Sequence, residues 1–307
     1  MHKNTRSLSI RLLGHYWDLN SAEDLERWHA EDSWSGSAPL NDMPPDFEIP
    51  SENRQLALER WRDEEMRPKL DELFDDLRQF SVLKYLDFTA SSEGLDWNYI
   101  HLSTISRMLN NLPITQNLRT LVLDTAGTRL GDDDDPTHLC EEVARVLPYI
   151  ENVRLRMITI CPAIFEIDGH AEGRHVALKT LIIKLHLPDA FDHTSDAEAE
   201  PCGMHPDPLF LCMTDEAPFL MRRLARLRGH NCSDYSFVEK LKHGMTGFAI
   251  SYRYYPPGSP PLTVSPIITM DCFNRTLIES SSPTWPPADD DGEPRWLELV
   301  ANEANIY

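Results

Sequence analysis

With 307 residues, 41% of them apolar, the chain can bury a substantial core without disulfide or metal staples, as one long domain or two. A formal net charge of −21 disfavours bare nucleic acid and anionic membrane surfaces, because phosphate contacts need clustered Lys and Arg. That acidity serves solubility, or attracts a basic partner.

No run approaches the roughly 20 apolar residues of a membrane helix. The first residues lead straight into strand-like sequence, with no apolar core of a signal peptide. Six scattered cysteines, Cys140, Cys161, Cys202, Cys212, Cys232 and Cys272, contain no C-x-x-C pair. That usage fits reduced thiols in the cytoplasm or nucleus rather than a disulfide framework.

Thr5 to Leu13 alternates as a first strand. Residues 14–52, rich in Asp, Glu, Ser, Pro and Trp, read as a long acidic insertion whose Trp17, Trp28 and Trp34 either pack it onto the body or anchor a partner. Leu56, Trp61, Leu70, Leu73, Phe74 and Leu77 recur at helical spacing over Asn53 to Gln79. Ser51 is placed to cap that helix, and Pro68 predicts a kink or break near Arg67.

Strand Leu83 to Phe88, helix Leu102 to Leu109 and strand Leu118 to Asp124 follow. Next come helix Thr137 to Leu147, strand Val153 to Ile160 and strand Leu178 to Leu187. Beyond Pro188 an acidic, Pro-punctuated linker or lid runs to Pro208. A basic amphipathic helix then spans about Asp215 to Arg228, its Asp215 and Glu216 at the positive end of the dipole. A helix at Phe237 to His243 and strands Phe248 to Tyr255 and Ile267 to Ile278 complete the pattern. The Pro-rich turn Pro256 to Pro261 separates those two strands.

Five stretches share one spacing: an apolar residue, another three on, a third two after that. They are Thr5-Leu8-Ile10, Leu83-Leu86-Phe88, Leu118-Leu121-Leu123, Ile150-Val153-Leu155 and Leu178-Leu181-Ile183. The last four start at residues 83, 118, 150 and 178, a strand-plus-helix unit of the length found in irregular leucine-rich repeats. Such units cannot bury an apolar face alone, and stacking completes the core.

The expected fold is therefore α/β: a short irregular leucine-rich-repeat-like solenoid with parallel strands and outer helices over 1–188, and a less regular C-terminal α+β cap over 189–307. Its partner surface is expected on the polar residues of the strands: Lys84, Tyr85, Asp87, Arg119, Thr120, Arg154, Arg156, Lys179, Thr180 and Lys184. Ordinary solvated strand faces have the same pattern.

Chemistry is hard to find. No phosphate-binding glycine loop or nucleophile elbow is present. Asp132 to Asp135 and Asp289 to Asp291 lack calcium-loop spacing and read as solvated turns. His170, Glu172 and His175 miss the spacing of a zinc protease. Cys140 reads as a buried small thiol. No catalytic, cofactor or metal residue is assigned, and the chain is read as a non-enzyme. Two other readings stay open: a metal-dependent binder or enzyme built on the loop of Cys202, His205 and Cys212, and a self-associating structural subunit.

The stretches LRTLVLDT (118–125), HLC (138–140), VLPYIENVRLRM (146–157) and ICPAIF (160–165) resemble the leucine-rich-repeat-like region that follows the F-box in fungal F-box proteins. MDCFNRT (270–276) and WPPADDDG (285–292) resemble their tail. The resemblance implies a substrate-recognition region of a ubiquitin-ligase receptor. The few residues before Leu8 leave no room for the F-box itself. Taken as a complete chain, the implied role is target holding without the adaptor contact, through protein partners rather than nucleic acid or membrane; a sequence shortened at its start is the alternative.

Overall fold

A computed structural model of the chain describes residues 4–14, 58–91, 99–113, 117–128, 138–167, 176–187, 199–202, 208–233, 236–253 and 267–280. The expected insertion with its three tryptophans, the Ser51 cap, the acidic runs, the His170–His175 stretch, His205 and the Pro256–Pro261 turn lie outside these residues.

Strands β1 (Ser7–Leu12), β2 (Tyr85–Ala90), β3 (Thr120–Asp124), β4 (Asn152–Arg156), β6 (Thr180–Lys184) and β8 (Gly247–Arg253) lie side by side in chain order, all parallel. Antiparallel β9 (Ile267–Asp271) and β10 (Thr276–Ser280) finish an eight-stranded, mostly parallel sheet. Two short strands, β5 (Thr159–Ile160) and β7 (Glu200–Pro201), pair in a separate parallel ladder. The protein is a mixed α/β structure with an open sheet. Among the described residues no helix is long and apolar enough to cross a membrane.

The repeated spacing explains this alignment. Leu8, Leu86, Leu121, Val153, Leu181 and Phe248 occupy one rung, and Ile10, Phe88, Leu123, Leu155, Ile183 and Ile250 another. A slip by one residue would turn every one of these side chains to the opposite face, so burial fixes the register. On β2 to β8 they are essentially inaccessible to solvent, whereas on edge strand β1 they are half-buried.

Helices α1 (Arg67–Asp76), α2 (Leu102–Asn111), α3 (Leu139–Val146), α4 (Leu209–Leu227) and α5 (Ser236–Lys242) pack in sequence, with the 3₁₀ turn Pro162–Phe165 between α3 and α4. Each buries one stripe, such as Ile105, Met108 and Leu109 on α2. These residues join the strand residues in a single core.

Several elements differ from expectation. Of the kink or break expected near Arg67, the break does not occur. A π-helical turn, Trp61–Met66, leads into α1, and Arg60 and Met66 keep helical backbone angles. Proline lacks the N–H for its upstream carbonyl and its ring crowds that group, and the wider turn just before it relieves both problems.

Helix α4 begins at Leu209, so Asp215 and Glu216 sit inside it rather than at its positive end, with Pro218 in its interior. Its arginines are not simply a solvated face. Arg223 Nη1 donates to the Phe165 carbonyl at 2.6 Å, Arg228 donates to the Leu178 carbonyl, and Arg222 lies over the Phe237 ring. The long strand expected at 267–278 is a hairpin, β9 and β10, turned at Arg275 with φ of 55°. The Asp271 carboxylate accepts the Phe273 N–H at 2.8 Å and the Asn274 N–H at 3.2 Å, a local turn that competes with extension. The expected boundary near 188 falls between β6 and β8, which are neighbours in the same sheet.

One glycine is sterically required. A Cβ on Gly127 would lie 2.5 Å from the Ala90 carbonyl oxygen and closer still to Ser91 Cα. Both are backbone atoms at the end of β2 and cannot rotate away. Gly127→Ala is expected to cost about 1–3 kcal/mol through overpacking, read as a lower urea midpoint. An unchanged midpoint would show that the two segments separate freely.

Candidate functional site

The ten strand residues divide into two groups. Lys84, Arg119 and Lys179 each stand one residue before a strand and are exposed. The other seven lie on the sheet face opposite the shared core rungs. Tyr85, Thr120 and Thr180 share one row, Asp87 and Arg154 the next, and Arg156 and Lys184 the third. Of these, Asp87, Thr120, Arg154 and Thr180 are buried, so they are not themselves presented to solvent as expected.

Asp87 and Thr180 find hydroxyl partners nearby, as buried polar groups generally do. Asp87 accepts from Thr89 at 2.9 Å and from Ser9 at 3.2 Å. Thr180 and Thr246 hydroxyls pair at 2.9 Å. Arg156 grips Asp124 through Nε at 3.0 Å and Nη2 at 2.6 Å, a bidentate pair across β3 and β4. Burial pushes Arg154 down to about 8 while neighbouring Asp124 favours its charge. Burial, with the Asp87 charge beside it, raises Tyr85.

The strand-entry edge is where charge reaches solvent. The Lys84 N–H bonds the Arg6 carbonyl at 2.8 Å, Arg119 bonds Lys84 at 2.8 Å, and Lys179 bonds Glu151 at 2.7 Å. With the Asn152 N–H bonding the Arg119 carbonyl at 2.8 Å, Arg6, Lys84, Arg119, Glu151 and Lys179 form one rung at the entry to successive strands. Glu151 sits between two cations, 2.6 Å from Lys179 Nζ and 3.7 Å from Arg119 Nε. Arg6 was absent from the expected surface. Its signal was in the sequence all along: every one of these residues directly follows the first apolar position of a repeat.

A second cluster lies at the start of α3. His138 stands at the N-cap position of that helix, without a side-chain capping bond, and Cys140 falls in its first turn. Parallel β5 and β7 end at Ile160 and Pro201, so their next residues, Cys161 and Cys202, are delivered side by side to the same place. One ligand atom from each of these four residues lies within 4.8 Å of the other three. Cys140 and Cys202 sulfurs are 3.7 Å apart, and Cys161 Sγ is 3.2 Å from His138 Nε2. The Cys161 N–H donates to the Cys140 sulfur at 3.3 Å.

The electrostatics favour one thiolate among the three sulfurs. Hydrogen bonds from Cys140 and Cys202 hold Cys161 well below the usual thiol range against the pull of burial, helped by the Ala163 N–H and His138. Cys140 is driven far up by Cys161, Cys202 and burial. For Cys202, the pull of Cys140 downward is outweighed by Cys161 and burial. His138, disfavoured as a cation by burial, is nonetheless raised by Glu141 and Cys161.

This set differs from the one suggested by sequence proximity. Cys202 belongs to it, but Cys212 is carried off on α4, and His205 is outside the described residues. Cys140 is buried as expected, with thiol neighbours that its helical spacing did not reveal. No family model, curated protein or solved structure matches this chain.

Proposed function

We propose that the protein is a non-catalytic interaction module, a short irregular leucine-rich-repeat-like array that receives an acidic segment of a protein partner along its strand-entry edge. The observation that carries this reading is the ladder of Arg6, Lys84, Arg119 and Lys179, exposed on neighbouring strands of a chain whose net charge is −21. Parallel strands lie about 4.8 Å apart, so the ladder forms a line of cations with a single intervening carboxylate, Glu151. Exposed pairs of this kind contribute little affinity one by one. Collectively they steer encounter and select against basic partners. The array reading is supported by the sequential strand order and the repeat residues held in common register. The resemblance to the substrate-recognition region of F-box receptors suggests a ubiquitin-ligase target as the partner class.

The test is affinity purification from native cells with the full chain and with the Arg6→Glu/Lys84→Glu/Lys179→Glu variant as baits. Partners held by the ladder should fall about tenfold or more in the variant and weaken with added salt, since screening shortens the reach of exposed charge. An identical set of partners at identical yield would remove the ladder from the interface. Recovery of a ligase adaptor would favour the receptor role; its absence would favour a binding module separate from ubiquitin transfer.

A further inference from the structure

We infer that His138, Cys140, Cys161 and Cys202 form a structural zinc site. The argument is geometric. A tetrahedral ion with zinc–sulfur bonds of about 2.3 Å requires sulfur–sulfur edges near 3.8 Å, and slightly shorter edges to an imidazole nitrogen. The Cys140–Cys202 separation of 3.7 Å matches such an edge, the Cys161–His138 separation of 3.2 Å is a few tenths of an ångström shorter than one, and all four ligand atoms lie within 4.8 Å of one another, close enough for the side chains to settle around one ion. A disulfide would instead need sulfurs about 2.05 Å apart.

Donor type points the same way. Three thiols and one imidazole are the soft and borderline set that selects zinc over magnesium or calcium. Backbone N–H groups reach two of the sulfurs, from Cys161 to Cys140 and from Ala163 to Cys161. Such donors favour thiolate over thiol, and zinc binds the thiolate, releasing the thiol protons. Glu141 Oε1 lies 3.2 Å from His138 Nδ1, orienting the ring so that Nε2 faces the sulfurs, as outer-shell partners of metal-bound histidines do.

Four protein ligands leave no open coordination position. Closed sites of this kind hold structure together; catalytic zinc keeps a position for water. The role follows from where the ligands originate. Two come from the start of α3, one from the turn after β5, and one from the segment between β6 and α4. The ion joins that last segment to the third repeat unit. Without it, β5 and β7 share only two rungs, Thr159 with Glu200 and Ile160 with Pro201, too short a ladder to persist alone.

The test is zinc content of the full chain purified under reducing conditions with zinc supplied, by native mass spectrometry. Stoichiometric zinc, one ion per chain, is expected in the wild type and in Cys212→Ser, with loss of at least tenfold in affinity for Cys161→Ser and Cys202→Ser. His138→Cys should retain zinc through four sulfurs while His138→Ala weakens it, which separates ligation from a general folding defect. Cobalt substitution of the wild type should give the intense visible absorption of tetrahedral coordination and a thiolate charge-transfer band. Zinc-free reduced protein, zinc retained equally by Cys161→Ser and Cys202→Ser, or a Cys140–Cys202 disulfide under these conditions would each overturn the assignment.

Discussion

Asp124→Ala should destabilise the protein by about 3–5 kcal/mol, among the largest effects of any single substitution on the sheet. Asp124 is 1% exposed and its partner Arg156 is only partly accessible. Breaking a buried pair by removing one member strands the other charge in a poorly solvated place, which costs far more than the pair itself contributes. Here the loss is compounded, because Arg154 on the same strand also relies on the Asp124 charge, while Arg156 works against it. Removing the carboxylate leaves two guanidinium groups on β4 without their shared counter-ion. The Asp124→Ala/Arg156→Ala double variant should therefore lose less than the two single variants added together. Urea unfolding of the three variants measures this. A loss below about 1 kcal/mol for Asp124→Ala would mean that water reaches the pair and solvates what is left behind.

Much of this sheet was legible in the sequence, for a physical reason. A strand buried on its helix-facing side must place apolar residues at alternate positions, and stacking units of similar length repeats that spacing. The spacing therefore identified five of the six parallel strands, and the register joins them as the spacing implies. The sixth carries the same mark, Met245, Phe248 and Ile250, all buried. Phe248 to Tyr255 was expected as a strand but not as a repeat, because two helices, α4 and α5, separate it from β6 and the unit is correspondingly long. The strand face was misjudged differently. Alternation says which side a residue points to, but not whether neighbouring strands enclose it, and a polar residue such as Thr180 can be buried when Thr246 supplies its partner.

The thiol cluster was the least legible feature. Its members come from three separate segments, Cys140 and Cys202 lying 62 positions apart, and only His138 and Cys140 are near neighbours in the sequence. Proximity along the chain suggested Cys202, His205 and Cys212. Helix propensity through Leu209–Leu227 removes Cys212 from that set, and the pairing of β5 with β7 supplies Cys161 instead. A metal site assembled by tertiary structure leaves only one trace in sequence, an excess of Cys and His without spacing.

Phe248→Ala should cost about 3–5 kcal/mol, and the shape of the unfolding curve will carry as much information as its midpoint. Phe248 is 1% exposed on β8. Its ring meets Phe165 edge-on at 5.9 Å and Phe273 edge-on at 6.4 Å, contacts that add about 0.5–1.5 kcal/mol each beyond simple burial. Phe165 belongs to the turn after β5, within the repeat region, whereas Phe273 lies in the hairpin turn between β9 and β10. One side chain thus joins the repeats to the C-terminal strands. If the C-terminal part behaves as a cap that folds by itself, Phe248→Ala will split unfolding into two transitions, with only the earlier one shifted. The continuous sheet and shared core lead us to expect one transition in both proteins, moved to lower urea concentration in the variant. Two probes decide between these outcomes: far-ultraviolet circular dichroism for the whole chain, and urea-dependent hydrogen exchange of the β9 and β10 amides for the C-terminal strands. Coincident curves mean that the sheet unfolds as a unit from β1 to β10, and that binding energy gained at the strand-entry edge stabilises the C-terminal strands as well.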